Sequence, residues 1–148
     1  MRRILIAIMR SLGPVAAQAQ SAPCLLKPDE LAPIFSVKFG PGVIEKDARG
    51  KVSCGYPVVG GGSGRVVIRV EDRMNAELFA RLRKSRAMIT GKDHTVVSVG
   101  DPAFSNEGMF AALKGARAVE IFGFRTAAKR RATLSEGGEL LRIALGRL

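Results

Sequence analysis

The chain has few side chains that could do chemistry, and the most informative are its only two cysteines, Cys24 and Cys54. In an oxidising compartment, two thiols in one small domain normally form a disulfide, whereas in the cytosol they stay reduced. The chemistry of this pair therefore depends on whether the protein is exported, and the N-terminus bears on that question.

The N-terminus resembles a secretory leader. Arg2 and Arg3 form a basic start, residues 4–9 are apolar, and Ala17-Gln18-Ala19 supplies a cleavage site of small residues. Arg10 interrupts the apolar stretch, so an amphipathic cytosolic N-terminus is the alternative. No stretch reaches the roughly 18 apolar residues of a transmembrane helix, and the residues before the first cysteine do not fit lipid attachment.

This pattern predicts a signal peptide at residues 1–19 and a single exported domain at residues 20–148, in the periplasm or outside the cell. In that compartment Cys24 and Cys54 are expected to form a disulfide.

The remaining candidate catalytic groups are isolated. His94 is the only histidine, whereas metal sites and catalytic triads need several donors or a positioned base. Asp101 lies between a glycine and a proline, where aspartate typically bonds turn amides. The glycine-rich run 60–64 lacks the lysine and the following helix of a phosphate-binding loop, so it predicts a hairpin tip. We therefore expect no catalytic residue, no metal site and no cofactor, and a protein that is not an enzyme.

The chain is strongly basic, with a formal net charge of +11. Such a surface attracts polyanions, although solubility alone would also explain it. The expected partners are an anionic envelope polymer, a membrane surface or an exported protein. Nucleic acid is the least favoured partner, because aromatic residues do not alternate with the basic ones. The candidate anion-binding residues fall in two groups: Arg81, Arg83, Lys84 and Arg86, and then Lys129, Arg130 and Arg131.

Apolar periodicity predicts the secondary structure. Alternation predicts a hairpin of strands 51–59 and 65–70. A short strand is expected at 95–99, and a turn at 114–117 predicts a second hairpin of strands 109–113 and 118–124. Helical spacing predicts a short helix that begins at Pro28 and ends before Gly40, and further helices at 73–89 and 139–148. The result is an α+β domain of about five antiparallel strands and about three helices. The apolar faces predict one shared core of Tyr56, Ile68, Val70, Leu78, Leu82, Leu141 and Ala144.

Several short motifs occur in a recognisable order: Cys24-Leu25-Leu26, Glu30, Cys54-Gly55-Tyr56, Val99-Gly100-Asp101-Pro102-Ala103-Phe104 and Lys114-Gly115. The order resembles a group of small secreted bacterial envelope domains of unknown function. Many of those are lipoproteins, and the extracellular sensor domain of a bacterial serine/threonine kinase looks related. Here Lys27 stands where threonine is usual, and Pro102 replaces an acid. The resemblance implies a curved antiparallel sheet with the helices packed on one face and the two cysteines joined.

These observations predict a non-enzymatic, exported binding or sensor-type domain of the bacterial cell envelope. They do not identify its ligand, for which an anion is one candidate. The alternative is an inhibitor-type protein-interaction domain that acts on an exported enzyme. An enzyme of unfamiliar type is the third reading.

Overall fold

The computed structural model describes residues 23–96, 99, 101–123 and 131–148. The predicted leader, Lys129 and Arg130 lie outside the described residues. Within them are three helices and eight strands: α1 (Pro28–Phe35), β1 (Lys38–Phe39), β2 (Val43–Lys46), β3 (Val52–Val59), β4 (Arg65–Asp72), α2 (Ala76–Thr90), β5 (His94–Thr95), β6 (Ala103–Asn106), β7 (Met109–Lys114), β8 (Arg117–Phe122) and α3 (Leu134–Gly146).

The strands form one open antiparallel sheet in the order β1-β3-β4-β8-β7-β6-β5, with β2 also paired to β3. Phe39 of β1 opposes Val58, and Ile44 of β2 opposes Cys54, so β1 and β2 line the same side of β3. They are one edge strand interrupted at residues 40–42, where Pro41 has no N–H for a ladder hydrogen bond. The expectation of about five strands missed β1, β2 and β6, which have only two to four residues each.

Both predicted hairpins are present in the sheet. At the tip between β3 and β4, Gly60 and Gly61 have φ of 80° and 101°, which glycine adopts without a steric penalty. The Val58 N–H donates to the Gly64 carbonyl oxygen at 2.9 Å and closes the turn. Between β7 and β8, Gly115 has φ of 59°.

The sheet is covered on both faces, so the expectation that all helices pack on one face is wrong. Helices α1 and α3 pack on the face that carries Tyr56, Ile68 and Ile121. Helix α2 packs on the opposite face, where Phe79 contacts Phe104 with ring centroids 5.3 Å apart. The physical reason lies in β7, where Phe110 and Ala112 belong to one cluster and Met109, Ala111 and Leu113 belong to the other, so both faces of the sheet must be covered.

The predicted single core is correspondingly divided. Tyr56, Ile68, Leu141 and Ala144 belong to the cluster under α1 and α3, and Val70 packs against it.

Helix α2 presents a different face to the sheet from the one predicted. Leu82 packs against the second cluster, but Leu78 is 43% exposed, and Phe79 is the buried residue of α2. Apolar spacing misplaced the buried face because Arg83 and Arg86 point toward the sheet, where carboxylates compensate their charge.

Helix α3 begins five residues before its predicted start. Thr133 accepts from the N–H of Glu136, whose carboxylate accepts from the N–H of Thr133, and this capping box fixes the start. Glycine normally disfavours a helix interior. Here it allows close packing instead, because a Cβ at Gly137 would lie 2.0 Å from the Phe110 ring.

The disulfide between Cys24 and Cys54 is confirmed, with a Cα–Cα distance of 5.0 Å. It joins the segment before α1 to β3.

Candidate functional site

The predicted anion-binding residues on α2 mostly have partners within the protein. Arg81 pairs with Glu77 at 2.6 Å, and Arg83 pairs with Asp93 at 2.7 Å. Arg83 also donates to the Thr95 hydroxyl at 2.9 Å. These contacts leave little uncompensated charge on this part of the helix.

The other two cations of this group differ from each other. Arg86 approaches the buried Glu120 at 3.9 Å. Lys84 is exposed, and it has no ion pair among the described residues. Arg131, from the second predicted group, lies against a different carboxylate, Glu107, at 2.8 Å.

Arg131 lines a cleft of about 760 Å³, which is in the size range of small-molecule sites. The cleft lies where the C-terminal end of α2, strands β5 and β6, the β6–β7 turn and the start of α3 meet. Its lining residues are Ile89, Thr90, Lys92, His94, Ser105, Asn106, Glu107, Gly108, Phe110, Arg131, Ala132 and Leu134.

Local structure fixes each side of this cleft. Gly91 ends α2 with φ of 69°, a left-handed cap that turns the chain and places Lys92 and His94 at the cleft. Gly108, with φ of 93°, closes the tight turn that presents Asn106 and Glu107. The capping box fixes the start of α3, and Arg131 and Ala132, just before it, line the same cleft.

The cleft carries more positive than negative charge. Glu107 accepts from Arg131 at 2.8 Å and lies 3.7 Å from Lys92, so two cations share one carboxylate. The hydrogen bond from Arg131, together with the charge of Lys92, lowers the pKa of Glu107. His94 lines the same cleft from β5 and is exposed.

Asn106 adds an unpartnered donor. The residue is 7% exposed, and its Nδ2 atom is buried with no hydrogen-bond partner among the described residues. Neighbouring Ser105 is satisfied, because its hydroxyl donates to the Met109 carbonyl oxygen at 3.1 Å. A buried unpaired amide costs free energy, so such groups typically receive an acceptor from water or a ligand. Sequence reasoning missed Asn106, because an asparagine before Glu-Gly indicates only a turn.

A second buried polar group lies on the face covered by α2. Glu120 is 3% exposed, and its cross-strand neighbour is Arg69. Oε2 of Glu120 and Nε of Arg69 have no hydrogen-bond partner among the described residues. Burial raises the pKa of Glu120, against the opposing effect of the Arg69 charge. Its burial was not visible in the sequence, where it is one acid within an apolar strand.

In the described part of the chain, no cluster of three or more histidine, cysteine or acidic side chains could hold a metal ion. The helices there also lack the length and hydrophobicity that a membrane-spanning segment needs. Asp101, considered above as an isolated carboxylate, is exposed.

No protein-family model matches the chain, and no curated protein or solved structure matches it significantly. The resemblance to secreted envelope domains therefore stays a prediction.

Proposed function

We propose that this chain is a non-enzymatic, exported binding domain of the bacterial cell envelope, and that the cleft at the end of α2 takes a small anionic ligand. One observation carries the proposal: Lys92, His94 and Arg131 line one cleft, and Asn106 is also among its lining residues. The ligand would supply the negative charge and the hydrogen-bond acceptor for which this set of side chains is suited.

The charge balance supports an anion rather than a cation. Among the described residues that line the cleft, Glu107 is the only acidic side chain, and two cations already contact it. An incoming carboxylate or phosphate would share those cations, and charge-assisted hydrogen bonds are the stronger ones in proteins. The arginines on α2 are less suited to bind an anion, because Arg81 and Arg83 each form an ion pair with a carboxylate of the protein.

The test is calorimetric titration with inorganic phosphate and with citrate. Replacing Lys92 and Arg131 by glutamine should weaken binding by about tenfold or more, since a hydrogen bond to a charged group contributes about 1.5–3 kcal/mol. The matched control replaces Arg81 and Lys84 by glutamine, which removes the same charge from the outer part of α2. This control should bind like the wild type.

Two outcomes would overturn the cleft as the site. One is an equal loss of affinity in both double variants, which would mean that net charge alone attracts the anion. The other is the absence of measurable binding of either anion at millimolar concentration.

Export is a separate part of the proposal. A disulfide that closes a 30-residue separation suits an oxidising compartment, in agreement with the leader-like residues 1–19. A reporter enzyme that is active only outside the cytoplasm can be fused to residues 1–148 and to residues 20–148. Reporter activity should require residues 1–19, and equal activity of both fusions would contradict the proposed leader.

The inhibitor-type alternative rests on the sheet edge. Strand β2 ends the sheet beside β3, and its Val43 and Ile44 are 52% and 51% exposed. An exposed edge can receive an extended segment of another protein by strand addition. If envelope proteins bind the wild type but not a variant with lysine at both positions, and the variant retains anion binding, then this edge is a separate interaction surface.

A further inference from the structure

The cleft that carries the positive charge also has an apolar rim. Ile89, in the last turn of α2, is 74% exposed, and Leu134, at the start of α3, is 44% exposed. Both line the cleft, together with the buried ring of Phe110. Large exposed apolar side chains around a concavity are typical of ligand-binding surfaces.

The two rim residues do not serve the interior of the fold. Neither Ile89 nor Leu134 belongs to, or packs against, either hydrophobic cluster of the described residues. Neither side chain therefore contributes to the core, and each leaves a large part of its apolar surface exposed. A ligand that covered them would gain that surface as binding free energy.

The polar part of the lining includes Lys92 and Arg131, which share Glu107, and also Asn106. An inorganic anion would use this part and leave the apolar rim exposed. A neutral apolar molecule would use the rim and leave the cations and the amide unsatisfied. A molecule with both kinds of group matches the whole lining.

We infer that the ligand is a single-chain anionic amphiphile, with its carboxylate or phosphate head at Lys92 and Arg131 and its alkyl chain against Ile89 and Leu134. The inference rests on the proposed anion-binding function and specifies the ligand class. A cleft of about 760 Å³ has room for a head group and a chain of moderate length.

Calorimetric titration with three soluble probes separates the contribution of the anionic head group to binding from that of the alkyl chain. Methyl phosphate carries the head alone, octyl phosphate carries the head and the chain, and octyl glucoside carries the chain with a neutral head. Below its micelle concentration, octyl phosphate should bind about tenfold or more tightly than methyl phosphate, because the added methylene groups become buried. It should also bind more tightly than octyl glucoside. Octanoate in place of octyl phosphate distinguishes a carboxylate head from a phosphate head.

Variants test whether the alkyl chain of the ligand contacts the apolar rim of the cleft. Replacing Ile89 and Leu134 by serine should remove the advantage of octyl phosphate over methyl phosphate, so that this variant binds the two probes with nearly equal affinity. The matched control is Met88→Ser, because Met88 is 78% exposed on the same helix but does not line the cleft. This control should bind all probes like the wild type. Thermal unfolding of each variant verifies that α3 is intact.

The outcomes separate this inference from the proposed function. Equal affinity for methyl phosphate and octyl phosphate would overturn the inference that the ligand is an amphiphile, but it would leave the proposed anion site intact. Equal affinity for octyl phosphate and octyl glucoside, without binding of methyl phosphate, would overturn the anion site. If Met88→Ser lowers octyl phosphate affinity as much as the rim variant does, the chain adsorbs to exposed surface, and the inference fails.

Discussion

The hydroxyl of Tyr56 donates a hydrogen bond to the carbonyl oxygen of Leu26 at 2.6 Å and accepts one from the N–H of Leu26 at 3.2 Å. Two residues earlier in each segment, Cys24 and Cys54 form the disulfide. Because residues i and i+2 of a strand lie on the same face, β3 holds the N-terminal segment at two adjacent points, one covalent and one polar. Burial raises the pKa of the Tyr56 hydroxyl, which keeps its donor proton in place.

Replacing Tyr56 by phenylalanine should cost about 1–3 kcal/mol of unfolding free energy, because the N–H and the carbonyl of Leu26 lose their side-chain partner in a buried place. Urea denaturation of the oxidised protein measures the loss. Alkylation of the non-reduced variant should find no free thiol, which shows that the disulfide still forms. A change below about 0.5 kcal/mol would mean that water replaces the hydroxyl at no cost.

Gly137→Ala tests how closely α3 approaches the sheet. Alanine favours a helix interior by about 1 kcal/mol over glycine, but the added Cβ would lie 2.0 Å from the Phe110 ring. Overpacking of this kind costs about 1–3 kcal/mol, so the net effect should be destabilising. The control is Gly146→Ala in the same helix, where a Cβ would meet nothing within 4 Å. This control should be neutral or stabilising in thermal unfolding, and a stabilising effect of Gly137→Ala would contradict the packing.

The buried carboxylate of Glu120 should make stability depend on pH. Its pKa is raised above the ordinary value of 4.5, mainly by burial, against the lowering effect of Arg69, Arg86 and Lys51 and with the raising effect of Glu71. The folded protein therefore holds this proton more tightly than the unfolded chain does. The associated stability is fully present below the unfolded pKa and is lost as pH rises through the folded pKa.

Glu120→Gln should remove this loss, so the variant should be more stable than the wild type at neutral pH. At pH values below the ordinary glutamate pKa, the two proteins should have nearly equal stability. Denaturation midpoints across the acidic-to-neutral range measure both effects. The control is Glu77→Gln, whose side chain is 71% exposed in a surface ion pair and should change stability little at any pH. If Glu120→Gln is instead less stable than the wild type at neutral pH, the attraction of Arg69 and Arg86 for the carboxylate outweighs the cost of its burial.

The orientation of α2 can be tested by two neighbouring residues. Phe79 is 5% exposed and contacts Phe104, whereas Leu78 is 43% exposed. Phe79→Ala should cost about 3–5 kcal/mol, as for other buried aromatic truncations. Leu78→Ala should cost well under half as much. Chemical denaturation measures both losses. A larger loss for Leu78→Ala than for Phe79→Ala would mean that α2 buries the face that apolar spacing predicts.

Local features of the sequence determined the parts of this protein that depend on neighbouring residues. Alternation along β3 and β4, the apolar runs of β7 and β8, and glycines at both turns were sufficient to predict the two hairpins. The proline and acids at the start of α1 were sufficient to predict that helix. The two cysteines, considered with the leader-like N-terminus, predicted the disulfide. These inferences succeeded because each depends on the backbone preferences or the redox chemistry of a few residues.

Only the tertiary structure decided what depends on distant residues. Strands β1, β2 and β6 are too short to show a period, and they exist because longer strands offer them hydrogen bonds. Strand β7 is apolar on both faces, so alternation could not indicate which helix would cover which side. Because charged residues lie on the sheet-facing side of α2, apolar spacing did not indicate which face of this helix is buried.

The candidate site also belongs to this second group. Lys92, Glu107 and Arg131 are well separated in the chain and meet at one cleft only because the end of α2, the β6–β7 turn and the start of α3 converge. The unsatisfied amide of Asn106 and the buried carboxylate of Glu120 likewise depend on what covers them. Periodicity records the preferences of a segment, whereas burial and charge compensation are set by the elements packed against it.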